Sequence, residues 1–95
     1  MFFTYILKSQ KSNRFYIGHT ENIERRLLRH NKGQVTATRN KGPWNLVYSE
    51  IFETKPEANR REFEIKSMKS RFYIEKLITS GGTGRHVPIY NRDSP

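Results

Sequence analysis

Two tyrosines near the start of the chain are the first residues whose type and spacing could do chemistry. Tyr5 and Tyr16 lie in aromatic and β-branched runs on either side of a polar, turn-forming segment, which predicts a β-hairpin. If the turn centres between Gln10 and Lys11, Tyr5 lies opposite Tyr16 on one face of the sheet. Gly18 falls on that face too and leaves room for a ligand or a backbone segment. The alternative is an ordinary cross-strand aromatic pair, which stabilises a sheet by about 0.5–1 kcal/mol.

A cationic helix follows the hairpin. Thr20 is a suitable N-cap, and the apolar spacing of Ile23, Leu27 and His30 predicts an amphipathic helix that packs on the sheet. Arg26 lies beside this stripe, so it either extends along its aliphatic stem to solvent or joins the tyrosines at the edge of the packed face.

A carboxylate falls on the predicted inward face of a later helix. Ala58, Ile65 and Met68 define that face, and Glu62 lies on it. Burial of an unpaired carboxylate costs several kcal/mol, so Glu62 needs a cation or hydrogen-bond donors nearby. A structural partner such as a lysine would meet this need, and so would a functional metal ion.

The composition indicates one small basic domain. The 95 residues carry 18 Lys+Arg against 9 Asp+Glu, a formal net charge of +9, which favours a polyanion partner, nucleic acid above membrane. The chain has no cysteine, which fits a reducing compartment, and we expect a cytoplasmic protein. The cations expected to contact phosphate are Arg60, Arg61, Lys66, Lys69, Arg71 and those of the loop 34–43.

The predicted elements follow one another in the order β-β-α-β-α-α, an α+β fold with a three-stranded antiparallel sheet flanked by helices. Apolar residues on both faces of the strands indicate that helices cover both sides. The third strand places Leu46, Tyr48 and Phe52 on one face, and a capping box begins the second helix at Thr54. We expect residues 1–80 to form the domain and residues 81–95 a flexible tail. The predicted strands are Phe3–Lys8, Arg14–His19 and Trp44–Phe52, and the predicted helices run from Thr20 to Gly33, Thr54 to Met68 and Ser70 to Thr79.

The hairpin motifs resemble those of a known family. Tyr5-Ile6, then Tyr16-Ile17-Gly18 after a short turn, then Arg26 in the helix, are similar to the GIY-YIG nuclease domain, and the resemblance covers residues 3–78. That family includes homing and restriction endonucleases, the incision subunit of bacterial excision repair, and many small single-domain proteins.

The resemblance implies roles for individual residues. Tyr16 is the candidate general base for the attacking water, and Tyr5 hydrogen-bonds and orients that water. Arg26 is the candidate clamp of the scissile phosphate, a task suited to a guanidinium fork. Glu62 is the candidate ligand of the catalytic ion, Mg²⁺ or Mn²⁺. A phenol with a reference pKa near 10 is a poor base at neutral pH, so nearby cations would have to favour the phenolate.

Two histidines match positions of the family motifs, and one residue differs from the family pattern. His19 lies where some relatives carry lysine, and His30 lies where relatives carry histidine or tyrosine. Each is either a polar filler or a catalytic participant. Ile74 stands at the position of a family asparagine.

The resemblance implies a metal-dependent endonuclease acting on nucleic acid, with DNA preferred, as a monomer, a homodimer or with a protein partner. The alternatives are a non-catalytic nucleic-acid-binding module of the same fold and a subunit that acts through a partner protein.

Overall fold

The computed structural model describes residues 1–80 and confirms the α+β fold and the predicted order of elements. The expected tail, residues 81–95, lies outside the described residues. No helix among residues 1–80 is long and apolar enough to cross a membrane. The strands are β1 (Phe2–Ser9), β2 (Phe15–Thr20) and β3 (Trp44–Phe52), and the helices are α1 (Ile23–Asn31), α2 (Lys55–Ser67) and α3 (Arg71–Ser80), with a short 3-10 turn at Thr36–Thr38 between α1 and β3.

The sheet is antiparallel throughout, with β1 in the centre and β2 and β3 at its edges. Tyr5 pairs with Gly18 and Leu7 with Tyr16, so the predicted Tyr5–Tyr16 pairing is wrong by two residues. The reason lies in the turn, where the Ser9 hydroxyl accepts hydrogen bonds from the backbone N–H groups of residues 11 and 12. This bond pattern lengthens the turn, but a shift of two keeps both phenols on the predicted face.

Helices cover the sheet on both sides, as predicted. One core lies between α1 and the sheet, and the other lies between the sheet and helices α2 and α3. The first contains Tyr5, Leu7, Ile23, Leu27, Trp44 and Leu46, and the second contains Ile6, Ile17, Tyr48, Ile65 and Ile74.

A register shift in β3 decides which residues enter each core. Ile6 pairs with Tyr48 and the next residue, Leu7, pairs with Leu46, so Val47 has no partner in the ladder. Leu46 and Tyr48 therefore point to opposite sides of the sheet, and the prediction that they share a face is wrong. A bulge adds one residue to one strand and so reverses the alternation beyond it.

The helix termini differ from the predictions in two places. Asn22, rather than Thr20, caps α1, because Thr20 is still part of β2 and the Asn22 side chain accepts from the Arg25 N–H. The capping box of Thr54 and Glu57 is present at the start of α2. Met68 lies just past the end of α2 and is 52% exposed, so the prediction that Met68 lies on the inward face of this helix is wrong.

A polar network that the sequence did not reveal ties α2 and α3 to β3. Glu50 is buried in β3. Its carboxylate accepts a hydrogen bond from the Tyr48 hydroxyl at 2.5 Å and several hydrogen bonds from the Arg61 guanidinium. Arg61 also donates to the Tyr73 hydroxyl of α3 at 3.2 Å. Arg61 is therefore a structural cation rather than the phosphate contact expected of it.

Replacing Glu50 should test this network. Glu50→Gln removes the charge that Arg61 and Tyr48 share, and we expect it to lower the free energy of unfolding by about 1–3 kcal/mol. The matched change Glu64→Gln removes a carboxylate that is 55% exposed and also bonded to Arg61, so we expect a loss below about 1 kcal/mol. Denaturant unfolding measures both values, and equal losses would contradict the buried role of Glu50.

Candidate functional site

Tyr5 is the centre of a buried hydrogen-bonded cluster on the α1 side of the sheet. It lies on the central strand, is 2% exposed, and its hydroxyl lies 2.9 Å from Nε2 of His30 and 3.4 Å from Nε of Arg26. Arg26 and His30 reach it because they lie four residues apart on α1, and therefore on the same side of that helix. The structure thus brings together three of the residues that the sequence selected.

The direction of these hydrogen bonds follows from Thr38. Its Oγ1 lies 2.7 Å from Nδ1 of His30 and 3.4 Å from the Val35 carbonyl oxygen. A hydroxyl has one hydrogen, so if Thr38 donates to Val35 it accepts from His30, and we assign the proton of the neutral ring to Nδ1. Nε2 is then an acceptor and takes the hydrogen of the Tyr5 hydroxyl. What Tyr5 offers to the site is consequently oxygen lone pairs, one of which accepts from Arg26.

Burial keeps both groups of this pair neutral. Burial raises the pKa of Tyr5 to about 12, although the hydrogen bond from Arg26 works in the opposite direction. Burial also lowers the pKa of His30 to about 4, and the positive charges of Arg26 and Arg29 lower it further. The nearby cations therefore do not make Tyr5 a phenolate, because the loss of solvent outweighs them.

Tyr16 lies diagonally across the hairpin from Tyr5, with ring centroids 6.3 Å apart, and packs edge-on against His30 at 4.8 Å. Hydrogen bonding to Tyr5, and to a smaller extent the proximity of Tyr16, raises the pKa of Arg26. The guanidinium and the two phenols therefore form one group.

Gly18 makes this arrangement possible. A Cβ atom at Gly18 would lie 2.7 Å from the Tyr5 hydroxyl oxygen and 3.1 Å from a ring carbon of Tyr16. Such contacts are too short for any side chain, so Gly18 is required by the two phenols. The space predicted for a ligand or backbone is occupied by Tyr5 itself.

Glu62 lies in a second group with His19 and Lys66. Its Oε1 is 2.6 Å from Nδ1 of His19, and its Oε2 is 2.5 Å from the ammonium of Lys66, four residues later on α2. Burial alone would raise the pKa of Glu62, but the hydrogen bonds from Lys66 and His19 outweigh it and lower the pKa. The carboxylate thus has a cation, Lys66, and a hydrogen-bond partner, His19, as its position demanded, and the helical i, i+4 spacing could have identified Lys66 beforehand.

The two groups are close enough to interact. His19 follows Gly18 on β2, and β2 is an edge strand, next to Tyr5 on β1. The negative charge of Glu62 is the smallest of the causes that raise the pKa of Tyr5. The Tyr5 group lies on the α1 side of the sheet and Glu62 on the α2 side, and the two adjoin at β2, where Gly18 meets Tyr5 and the next residue, His19, contacts Glu62. No group of three or more His, Cys, Asp or Glu side chains suited to a metal occurs in the described part of the chain.

The sequence matches the GIY-YIG catalytic domain over residues 1–76. The chain belongs to the GIY-YIG family. It is 44% identical over 80 residues to a UPF0213 protein of Staphylococcus saprophyticus, covering 83% of this chain and 95% of the relative. It is 46% identical over 81 residues to a UPF0213 protein of Clostridium perfringens, covering 84% of this chain and 85% of the relative.

A solved GIY-YIG relative has the same fold. The solution NMR structure of a UPF0213 protein from Bacillus halodurans superposes with a TM-score of 0.54 at 35% identity and covers 88% of this chain and 89% of that one. Within this GIY-YIG domain, Ile74 is 8% exposed and belongs to the core between the sheet and α3, so the position of the family asparagine is apolar here.

The tautomer of His30 is open to direct measurement. In the wild-type protein we expect the Nδ1–H tautomer, seen in the ¹⁵N chemical shifts of the imidazole. Thr38→Val removes the acceptor for that proton, so we expect the ring to shift toward the Nε2–H tautomer, with a stability loss of about 1–3 kcal/mol. Thr38→Ser keeps the hydroxyl and should keep the wild-type shifts. An Nε2–H ring in the wild-type protein would contradict the assigned bond directions.

Stability should depend on pH through His30. The pKa of His30 falls from an ordinary 6.5 to about 4 on folding, so between pH 4 and pH 6.5 the unfolded chain binds more protons than the folded chain. The free energy of unfolding should therefore decrease as the pH falls from about 6.5 toward 4, by up to roughly 3 kcal/mol. The lowered pKa of Glu62 adds a further loss of stability only below pH 4.5, its ordinary pKa. Urea unfolding across this range checks the slope, and a His30→Gln protein with the same slope would assign it to other groups.

Proposed function

We propose that this protein is a metal-dependent endonuclease that hydrolyses phosphodiester bonds of nucleic acid, with DNA as its preferred substrate, in the cytoplasm. The observation that carries the proposal is the group formed by the Arg26 guanidinium with the Tyr5 and Tyr16 phenols, which adjoins the Glu62 carboxylate at β2 through the neighbouring residues Gly18 and His19. Catalysis at a phosphodiester needs charge stabilisation, a positioned water and a base, and such functions come from side chains on separate elements. The net charge of +9 suits the polyanionic substrate.

Arg26 would hold the scissile phosphate. A guanidinium has five N–H donors, and its Nε–H is used by the Tyr5 oxygen. This bond orients the planar group, while the terminal nitrogens remain suited to two phosphate oxygens. Because charge grows on those oxygens in the transition state, an oriented guanidinium stabilises the transition state more than the ground state.

The two tyrosines would divide the handling of the attacking water. Tyr5 gives its hydrogen to His30, so its oxygen accepts a hydrogen bond from the water and orients it. The pKa of about 12 makes Tyr5 a neutral acceptor rather than a base at neutral pH. Tyr16 would then take the proton from the water as it attacks the phosphorus in line, a step that requires the phenolate form of Tyr16 beside the Arg26 cation.

The donor set at Glu62 fits a divalent ion. Mg²⁺ is usually held by one or two carboxylates together with waters and substrate phosphates, and Mn²⁺ accepts the same hard oxygen ligands. The Lys66 ammonium lies 2.5 Å from Oε2, which supports the view that this carboxylate attracts a cation. A bound ion would act as a Lewis acid that stabilises charge on the phosphate and the leaving oxygen. Lys66 is 49% exposed and free to move away from the carboxylate when such an ion competes.

A non-catalytic binding module is the second candidate. It is favoured by the pairing of both Glu62 oxygens with His19 and Lys66 and by the apolar Ile74 at the position of the family asparagine. Such a module, alone, as a dimer or beside a protein partner, would keep the basic surface and bind nucleic acid without cutting it.

Glu62→Gln separates the two candidates. In an endonuclease we expect it to abolish Mg²⁺-dependent nicking of supercoiled plasmid, while nucleic-acid binding stays within about twofold, because the change leaves every cation of the basic surface in place. Thermal stability should change by no more than about 1 kcal/mol, since Lys66 is half exposed.

Glu75→Gln is the matched control for that change. Glu75 is also in a helical i, i+4 ion pair, with Arg71, but it lies on α3. Its replacement should leave nicking unchanged. Equal nicking by purified wild-type and Glu62→Gln proteins would remove the metal site from the proposal, and binding without any nicking by the wild-type protein would favour the binding module.

A further inference from the structure

A cleft of about 470 Å³ opens on the far side of His30 from Tyr5. Its walls come from three segments: Lys11 in the β1–β2 turn, residues 30–33 at the end of α1, and the loop that runs from Thr38 to Pro43. The volume falls within the range of roughly 300–1,000 Å³ that is typical of ligand sites. None of the residues assigned to the proposed reaction lines it except His30.

Hydrogen bonds hold the three walls of this cleft in place. The Ser9 hydroxyl donates to the Lys41 carbonyl at 2.7 Å, and the N–H of Gln10 donates to the Pro43 carbonyl at 2.9 Å, which joins the turn to the loop. The Asn31 side chain accepts from the Trp44 N–H at 2.7 Å and donates to its carbonyl at 3.0 Å, which joins α1 to the start of β3. A cleft whose walls are bonded to one another requires little ordering when a ligand binds.

The lining of the cleft is cationic. Lys11 and Lys32 are exposed at its walls, neither forms an ion pair within residues 1–80, and the lining contains no carboxylate. The end of α1 would oppose an anion through its dipole, but the backbone N–H groups of Lys32, Gly33 and Gln34 already satisfy its last carbonyls. Thr38, Asn31 and Gly33 are already bonded within the protein, and the exposed side-chain amide of Asn40 adds a donor suited to a phosphate oxygen.

We propose that this cleft binds a backbone phosphate of the nucleic-acid substrate, away from the scissile phosphate, through Lys11 and Lys32. The inference rests on the proposed function and adds the course of the bound strand. His30 connects the two places, since its ring contacts Tyr5 and Tyr16 and the same residue lines the cleft. Phosphates recur about every 3.4 Å of axis along each strand of a duplex, so a strand held at Arg26 presents further phosphates along its length to the cleft.

The experiment compares two double variants of equal charge. Lys11→Gln/Lys32→Gln removes both lysines from the cleft, and Lys55→Gln/Lys76→Gln removes one exposed lysine each from α2 and α3, the helices that pack on the other face of the sheet. Fluorescence polarisation with a short labelled DNA duplex, without divalent metal, measures affinity over a range of salt concentrations. We expect the cleft variant to bind several-fold more weakly and its slope of log K against log salt to fall by about one, as loss of one phosphate contact requires, while the control keeps the wild-type slope.

A second arm distinguishes a substrate phosphate from a free anion. In NMR titrations the backbone amide signals of Gly33 and Asn40 should move when the duplex is added, and they should move less in the cleft variant. Movement of these signals with inorganic phosphate but not with the duplex would identify a small-anion site and overturn the inference.

The possible failures are separable. Equal salt slopes for the two double variants, with tight binding by the wild-type protein, would overturn the cleft and leave the proposed function standing. Absence of duplex binding by the wild-type protein at low salt would overturn the proposed function and this inference together. Unchanged thermal unfolding of both variants is the control for folding.

Discussion

The buried imidazole of His30 is the interaction on which the candidate site depends. It is 1% exposed and joins Tyr5, at the centre of the sheet, to Thr38, in the loop before β3. A neutral imidazole can donate from one nitrogen and accept at the other, so it transmits a fixed bond direction from the loop to the phenol. A charged ring in this place would lose solvent without gaining a counter-ion, which explains why the pKa of His30 falls to about 4.

The opposite electrostatic arrangement occurs at Glu62. There hydrogen bonds from Lys66 and His19 overcome the effect of burial and hold the carboxylate in its charged form. The site therefore combines neutral hydrogen-bonding groups on the α1 side with an ionised carboxylate on the α2 side. That combination suits phosphodiester hydrolysis, in which a water must be oriented and developing negative charge must be balanced.

The positive charge of the chain is divided among different tasks. Arg61 is bound to the buried Glu50 and supports the packing of α2 and α3 on β3. Arg26 is oriented by Tyr5, and Lys66 neutralises Glu62. Lys11 and Lys32 face a cleft without carboxylates. A net charge of +9 predicts a polyanion partner, but only the contacts distinguish cations that support the fold from those available to a ligand.

The sequence by itself determined the order of the elements, the limits of β3, the capping box of α2 and the family. These features depend on local patterns: alternation in a strand, a Thr and a Glu three residues apart, and motifs at fixed spacing within one hairpin and its helix. The same patterns selected Tyr5, Tyr16, Arg26, His30 and Glu62, which lie in the two adjoining groups described above.

The tertiary structure alone decided the hairpin register, the reversal of faces at Val47, the direction of the bonds through His30 and the partners of Glu62 and Glu50. Register depends on how the Ser9 hydroxyl shapes the turn, and the bulge depends on pairing with β1, so neither is visible in the alternation of a single strand. The bond direction depends on Thr38, whose hydrogen goes to the Val35 carbonyl, a contact that exists only after the 3-10 turn has formed. Protonation is decided by burial and by charges from other elements, and those distances are set when α1 and α2 pack on the sheet.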